Sequence, residues 1–238
     1  PVDSDIQIAI RFIEQSALYY AQVRGLGTLK LNSTKEYIEK YTEEFYLVDL
    51  YYRRTLEAYH ELITKENPIE QTLSSAKRQL DLEYAKITNV LNLEWLTCVG
   101  EKGAWFTETG LKRQEDFYKN ESDTSVKQVV IVCDALRYEV AKELMQELAK
   151  EKHIATIDAY QAMLPTETKY CKPALLPHHS LELNGTDMMV DGTLLTTTEQ
   201  RTAHLGKYRE GAICMRYEDV MNGDAQSMRE LFKRPLVY

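Results

Sequence analysis

The sequence has few cysteines, no long apolar run and no excess of positive charge. Its four cysteines form neither a C-x-x-C pair nor the spacing of a disulfide framework, which is typical of reduced residues in a cytoplasmic protein. No stretch approaches the roughly 20 apolar residues of a membrane span, and no signal peptide opens the chain. A net charge of −8 provides no overall basic field for nucleic acid or anionic membranes, although it leaves a local basic groove open.

The size and composition are those of a globular protein. The chain has 238 residues, of which 44% are hydrophobic and 28% charged, and it is long enough for one large domain or two modest ones. It begins with Pro1 rather than Met, so we expect it to be an excised piece of a longer protein.

Three segments of the first hundred residues have apolar residues at helical spacing. The first spans residues 5–24, the second extends to about Thr64, and the third runs from Pro68 to Gly100. Long amphipathic helices with short links predict a helical bundle. The apolar face of the first helix is expected at Ile6, Ile10, Ile13, Ala17 and Tyr20.

The start of the second helix has a recognisable cap. Asn32 or Ser33 can accept hydrogen bonds from the first free N–H groups, and Glu36 follows Ser33 by three residues. This spacing predicts a capping box.

The pattern changes beyond a linker at Gly100–Ser125. The apolar pattern predicts a strand at Lys127–Cys133, a helix at Tyr138–Lys150 and a second strand at His153–Ala159. A connection of this length implies a parallel pair with a right-handed crossover. We therefore expect an α/β fold in which a helical bundle domain (1–125) precedes the first part of a parallel-sheet domain (126–238).

Asp134 is the first candidate for chemistry. It directly follows the apolar run 129–133, and ligands of open α/β sheets bind at the carboxyl ends of the strands. A carboxylate at the tip of an apolar strand has lost much of its hydration, and a cation is one way to compensate. The alternative is that Asp134 caps the following helix.

Thr166 and Thr168 follow Pro165 and are the second candidates. If a short helix starts near Thr168, its hydroxyl lies where free N–H groups attract phosphate, and a metal could activate it as a nucleophile. The alternative is an ordinary helix-capping threonine.

Other polar residues are weaker candidates. His178 and His179 are adjacent, so they cannot easily face one ion, and a surface turn is favoured. Arg137 could contact an anion, pair with Glu139 or lie at the domain boundary. Residues 184–201 are expected to form a polar surface excursion, whose acids favour a metal site only weakly.

Three motifs in the second half resemble one protein family. They are Cys133-Asp134-Ala135-Leu136-Arg137-Tyr138-Glu139, Leu164-Pro165-Thr166-Glu167-Thr168 and Ala174-Leu175-Leu176-Pro177. With them the chain resembles PglZ proteins, members of the alkaline phosphatase superfamily encoded in BREX phage-defence systems. Two further stretches are similar to patterns of the family, Val190-Asp191-Gly192 to Arg201, and Val48-Asp49 with Tyr52-Arg53 upstream.

The resemblance implies roles for individual residues. Asp134 matches the first metal-binding aspartate of the superfamily, and Thr168 matches the metal-bound nucleophile, with Thr166 as the second choice. It also implies a two-metal site, with Zn²⁺ as the expected ion. Cys171 and Lys172 depart from the Gly-Met often found after the threonine. The remaining ligands of the superfamily would lie beyond Tyr238.

The leading hypothesis is a cytoplasmic metal-dependent phosphoesterase of a phage-defence system, with a phosphate ester as substrate and other BREX proteins as partners. Nucleic acid is a conceivable substrate that the charge does not indicate. The alternative is a non-catalytic module that assembles other defence proteins. We expect this piece itself to be inactive. Because nothing follows the strand-like segment Leu231–Tyr238 to flank it, we also expect the piece to self-associate, to exchange elements between copies, or to be held by its helical bundle folding over the gap.

Overall fold

The computed structural model describes residues 4–27, 29–63, 68–100 and 109–238. Two compact units divide the chain. The first, the helical unit, comprises the described parts of Pro1–Gly110 together with Leu136–Ile157, and the second, the sheet unit, comprises Leu111–Ala135 with Asp158–Tyr238. The two units alternate along the chain, and the division into a helical bundle domain (1–125) and a partial α/β domain (126–238) stays a prediction.

Helices dominate the secondary structure. In chain order they are α1 (Ser4–Gly25), α2 (Thr34–Lys40), α3 (Tyr46–Ile63), α4 (Pro68–Val99), α5 (Phe117–Glu121), α6 (Tyr138–Lys150), α7 (Thr168–Ala174), α8 (Thr198–Tyr208), α9 (Tyr217–Met221) and α10 (Ala225–Leu231). A π-helical segment (Tyr41–Phe45) joins α2 to α3, and a 3-10 turn (Gln114–Asp116) precedes α5. None of the described helices is long and apolar enough to span a membrane.

The strands are short. They are β1 (Lys112–Arg113), β2 (Gln128–Val129), β3 (Tyr160–Gln161), β4 (Leu181–Asn184), β5 (Asp187–Val190), β6 (Thr193–Leu194) and β7 (Leu236–Val237). β1 pairs with β3 and β2 with β7, both in parallel, whereas β4, β5 and β6 form an antiparallel sheet. The mixture of helices with small sheets agrees with the expected α/β class.

The helix boundaries follow the predicted signals closely. The Ser33 hydroxyl accepts a hydrogen bond from the N–H of Glu36 (3.2 Å), so Ser33 is the cap of α2. The Glu36 carboxylate turns back to the N–H of Asn32 (2.8 Å), and the expected capping box closes one residue earlier than its usual form. Thr64 and residues 101–108 of the predicted linker lie outside the described residues.

The predicted core face of α1 is wrong. Ile8, Phe12 and Tyr19 are buried, whereas Ile6 and Ile10 are each 46% exposed. The sequence of α1 carries two overlapping apolar stripes, and both satisfy helical periodicity. Packing against α3 buries the stripe that contains the two aromatic rings, which removes the larger apolar area from water.

The predicted parallel pair has a different partner strand. Only Gln128–Val129 of the expected strand Lys127–Cys133 is paired, and its partner is β7. The expected strand His153–Ala159 does not form, and Ile154 is fully exposed. A strand needs a neighbouring backbone for its hydrogen bonds, and residues 136–157 belong to the helical unit rather than to the unit that contains β2.

The apolar run after β2 is exposed, contrary to the predicted buried strand. Ile131 is 75% exposed and Val129 52%. β7, in contrast, is buried between β2 on one side and residues 213–215 on the other, where the N–H of Ile213 donates to the carbonyl of Leu236 (3.0 Å). The open edge of this ladder among the described residues is therefore that of β2, and the expectation that Leu231–Tyr238 lacks neighbours is wrong.

Residues 184–201 are mostly exposed, as expected of a surface excursion, and they form a β-hairpin and the start of a helix. Asp191 and Gly192, which link β5 to β6, both have positive φ (47° and 72°), as a two-residue hairpin turn requires. The sheet buries Met188 and Val190. Thr197 and Gln200 then form a complete capping box at the start of α8. The Asp191-Gly192 pair is a sequence signal for a hairpin turn, but it lies within a polar stretch that was interpreted as a surface excursion.

Candidate functional site

Asp134 and Thr168 lie together in the sheet unit. The Thr168 hydroxyl donates a hydrogen bond to Oδ2 of Asp134 over 2.9 Å, although 34 residues separate them in the chain. Both residues are exposed to solvent. The structure thus unites the two residues that the sequence selected for chemistry, and their chemical roles stay predictions.

Neither residue acts as the simple helix cap that was the alternative for each. The N-cap of α6 is Arg137 rather than Asp134, and Ala135 between them has a positive φ of 57°. The N-cap of α7 is Glu167, so Thr168 is already the first helical residue. The two side chains bind each other instead of free N–H groups, and this leaves the pair accessible for a ligand.

Thr166 is the less suitable of the two threonines. It is exposed, and the hydrogen bond to Asp134 comes from Thr168. The backbone that carries both threonines is tied down by Gln114, whose side chain accepts from the N–H of Met163 (3.1 Å) and donates to the carbonyl of Cys171 (3.3 Å). Sequence reasoning missed Gln114, because its contacts depend on residues about fifty positions away.

Cys171 departs from the family's usual residue and lies beside the site. Burial raises the pKa of its thiol, and the negative charge of Asp134 raises it further. Its Sγ lies 3.8 Å from the carbonyl oxygens of Met163 and Pro165. A thiol with a raised pKa is a poor thiolate ligand or nucleophile, so Cys171 is a weaker candidate for chemistry than Asp134 and Thr168.

The donor set fits part of a metal site. A carboxylate and a hydroxyl within hydrogen-bonding distance can bind one ion together, and Zn²⁺ accepts carboxylate oxygen. Within the described ranges, no group of three or more histidine, cysteine, aspartate or glutamate side chains is arranged to hold a metal ion. The pair could therefore supply two ligands, with the others coming from water or from residues elsewhere.

Asp191 and His204 hold the local fold of residues 177–208. Asp191 accepts the N–H groups of His179 and Ser180, each at 2.8 Å, and the hydroxyl of Tyr208 at 2.5 Å. Burial would raise the pKa of Asp191, but these hydrogen bonds outweigh it and lower the pKa to about 2. The ring of His204 bonds the carbonyl of Pro177 (2.6 Å). These side chains are occupied by structural contacts.

A groove of about 630 Å³ lies on the sheet unit, and its lining includes Val132 and Lys172. The exposed run 129–132 forms one wall, and Tyr217, Met221 and Phe232 are among the other lining residues. Neither Asp134 nor Thr168 lines it. The largely apolar groove is therefore distinct from the polar pair.

Comparison with protein families agrees with the motifs. Residues 115–238 match the family described as the BREX system PglZ alkaline phosphatase-like domain, and the chain belongs to this PglZ family. Proteins of the alkaline phosphatase-like superfamily generally use metal ions.

Two curated relatives show the same relationship. The chain is 28% identical over 233 residues to the alkaline phosphatase-like protein PglZ of Bacillus cereus (strain H3081.97). This alignment covers 92% of the chain and 27% of that relative. It is 32% identical over 134 residues to the alkaline phosphatase-like protein BrxZ of Escherichia coli O9:H4 (strain HS), covering 52% of the chain and 15% of that relative. The chain thus spans about a quarter or less of the length of these relatives. No solved structure matches it significantly.

Proposed function

We propose that the protein is a metal-dependent phosphoesterase, either a phosphatase or a phosphodiesterase, of a BREX-type phage-defence system in the cytoplasm. The observation that carries this proposal is the 2.9 Å hydrogen bond between Thr168 and Asp134. It places an alcohol that can attack phosphorus beside a carboxylate at an exposed position. Membership of an alkaline phosphatase-like family supports the same chemistry.

Asp134 and Thr168 have complementary roles in this proposal. A threonine hydroxyl is a weak nucleophile until it loses its proton. The Thr168 hydroxyl already donates a hydrogen bond to Oδ2 of Asp134, which is therefore placed to accept the proton. Attack forms a bond from Oγ1 of Thr168 to phosphorus and breaks the bond from phosphorus to the leaving alcohol. The hydroxyl proton passes to Asp134, and the leaving oxygen takes a proton from solvent. Water then breaks the bond between Oγ1 and phosphorus, which releases the phosphate product and restores Thr168. Zn²⁺ is the proposed metal, with Asp134 and Thr168 as two of its ligands; when bound, it would lower the pKa of a hydroxyl and offset phosphate charge.

The proposed substrate is a phosphate ester, and the proposed partners are other BREX proteins. A net charge of −8 does not favour nucleic acid as the substrate, because binding to its backbone relies on positive charge. The proposal covers both a phosphatase and a phosphodiesterase, so the first assays use small phosphomonoesters and small phosphodiesters as substrates.

The test compares Thr168→Val, Asp134→Asn and the control Thr166→Val in the protein as its gene encodes it. Hydrolysis of p-nitrophenyl phosphate and bis(p-nitrophenyl) phosphate is measured with Zn²⁺, Mn²⁺ or Mg²⁺. We expect Thr168→Val and Asp134→Asn to lower kcat/KM by at least about 100-fold, and Thr166→Val to change it only slightly. Full activity of a folded Thr168→Val variant would exclude Thr168 as the nucleophile.

The second candidate is a non-catalytic module that assembles defence proteins. It is favoured by the exposed apolar run after β2, where Ile131 is 75% exposed, because such surfaces commonly mark association sites. Phage-protection assays separate the candidates. Loss of protection in Asp134→Asn and Thr168→Val, with folding and complex assembly unchanged, supports catalysis; intact protection supports assembly alone.

A further inference from the structure

The groove on the sheet unit adjoins the pair formed by Asp134 and Thr168 at two places. Val132 lines the groove and precedes Asp134 by two residues, and Lys172 lines it and follows Thr168 by four residues on α7. Two residues of chain span at most about 7 Å, and four residues of helix rise about 6 Å. The groove therefore begins within about 7 Å of the backbone of both candidate residues.

The lining of the groove suits an apolar organic group. Ile131 on one wall and Tyr217, Met221 and Phe232 in the rest of the lining are between 48% and 75% exposed. Large apolar side chains that are exposed together commonly mark binding grooves. A volume of about 630 Å³ also lies within the range of small-molecule sites, which are mostly apolar with a few polar groups.

The polar part of the lining is positively charged. Among the described residues, the charged groups that line the groove are Lys172, Arg201, Arg216 and Glu218. Arg216 binds Asp219 over 3.1 Å, which balances its charge. Lys172 and Arg201 therefore outweigh Glu218, and the lining carries an excess of positive charge although the whole chain has a net charge of −8.

Lys172 brings this positive charge next to the candidate nucleophile. Side chains four residues apart on a helix lie on the same face, so Lys172 and Thr168 are neighbours on α7. Lys172 is exposed, and within the described ranges no carboxylate forms an ion pair with it. Its ammonium group is therefore available to an anion that is held by Thr168.

Arg201 is a second cation in the same part of the groove. Its Nε donates to the carbonyl of Leu195 (3.3 Å) and its Nη2 to that of Thr196 (3.2 Å), and these neutral partners leave its charge uncompensated. Burial raises the pKa of the Cys214 thiol, whereas the charges of Arg201 and Lys172 act to lower it. Both cations thus lie close to one lining residue, and together they favour a ligand that is apolar but carries negative charge.

We propose that the groove binds the organic group of the substrate, so that the substrate is the phosphate ester of a large apolar alcohol or phenol. This inference rests on the proposed phosphoesterase function. The phosphate lies at Asp134 and Thr168, and Lys172 contacts one of its oxygens. The apolar group extends along Ile131 and Phe232, where it selects the substrate and takes no part in bond making.

The experiment compares phenyl phosphate, 2-naphthyl phosphate and the methyl diester of each, with Zn²⁺, in the protein as its gene encodes it. Phenol and 2-naphthol are leaving groups of similar acidity, so the ratio of their kcat/KM values reports on binding of the second ring. The groove variants are Phe232→Gln and Met221→Gln, both at exposed positions. Leu183→Gln is the matched control, because Leu183 is exposed on β4 of the same unit and does not line the groove. Lys172→Gln is compared with Lys169→Gln, an exposed lysine of α7 outside the groove.

We expect the unsubstituted protein to favour the naphthyl ester over the phenyl ester by about 10-fold in kcat/KM, because the second ring buries apolar area. Phe232→Gln and Met221→Gln should each reduce this ratio to about 3-fold or less, and Leu183→Gln should preserve it. Lys172→Gln should raise KM for both esters by about 10-fold, and Lys169→Gln should raise it far less.

Three outcomes would contradict these expectations in different ways. Hydrolysis with a ratio near 1 in the unsubstituted protein, or with a ratio that neither groove variant changes, would overturn this inference and leave the proposed function intact. An unchanged KM in Lys172→Gln would overturn the contact of Lys172 with phosphate. No hydrolysis of any of the esters would overturn the proposed function and this inference together.

Discussion

The hydroxyl of Tyr208 lies 2.5 Å from Oδ2 of Asp191 and joins α8 to the turn between β5 and β6. The same carboxylate receives two N–H groups from the segment before β4. One side chain therefore connects three parts of the sheet unit. Asp191 makes these contacts from a backbone conformation with a positive φ of 47°, which Asp tolerates better than most residues.

The low pKa of Asp191 predicts acid sensitivity of this hairpin. Hydrogen bonds lower its pKa from an ordinary 3.8 to about 2, so the carboxylate stabilises the folded state fully above pH 4. That contribution is lost as the pH falls from about 4 towards 2.

Asp191→Asn should remove that stabilisation at pH 7 and abolish its pH dependence. Hydrogen exchange of the amides of residues 187–194 at pH 7 and pH 3 measures it. The control is Asp187→Asn, since Asp187 is exposed in the same sheet. Equal effects of the two substitutions would contradict the explanation.

Ala135→Gly should stabilise the folded protein. Ala135 has a φ of 57°, where its Cβ is unfavourable, and glycine adopts this conformation without that cost. The expected gain is up to about 1 kcal/mol, partly offset by the greater freedom of glycine in the unfolded chain. Ala141→Gly within α6 is the control and should destabilise by about 1 kcal/mol. Thermal unfolding distinguishes the two directions.

Ile131→Lys should reduce self-association of this chain. The open edge of β2 and the exposed apolar run beside it provide a surface for pairing with a second copy, and a lysine there opposes such pairing. Light scattering at tens of micromolar measures the mass. Ile154→Lys is the matched control, because Ile154 is fully exposed in the helical unit. A monomeric unsubstituted chain would refute self-association.

The chain of 238 residues should show little phosphoesterase activity by itself. The pair Asp134 and Thr168 provides one carboxylate and one hydroxyl, whereas a two-metal site draws ligands from several strands. Purified chain is assayed with Zn²⁺ against its own Asp134→Asn variant. Turnover that needs Zn²⁺ and Asp134 would show that residues 1–238, or a second copy, complete the site.

The sequence by itself determined the local features. Helix boundaries at Gly25, Pro68 and Tyr138 follow from glycine, proline and apolar periodicity, which act within a few residues. The motifs also selected Asp134 and Thr168 correctly as neighbours, because family resemblance carries information about distant contacts.

Tertiary structure alone decided the pairings. α1 offers two apolar stripes, and only packing against α3 selects Phe12 and Tyr19 for burial. β2 pairs with a strand more than one hundred residues away rather than with the next apolar segment. The acid Glu139 is buried beside the charged groups of Arg53 and Arg137, which no local pattern reveals. Apolar periodicity shows which residues can be buried, whereas the element that packs against them decides which residues are buried.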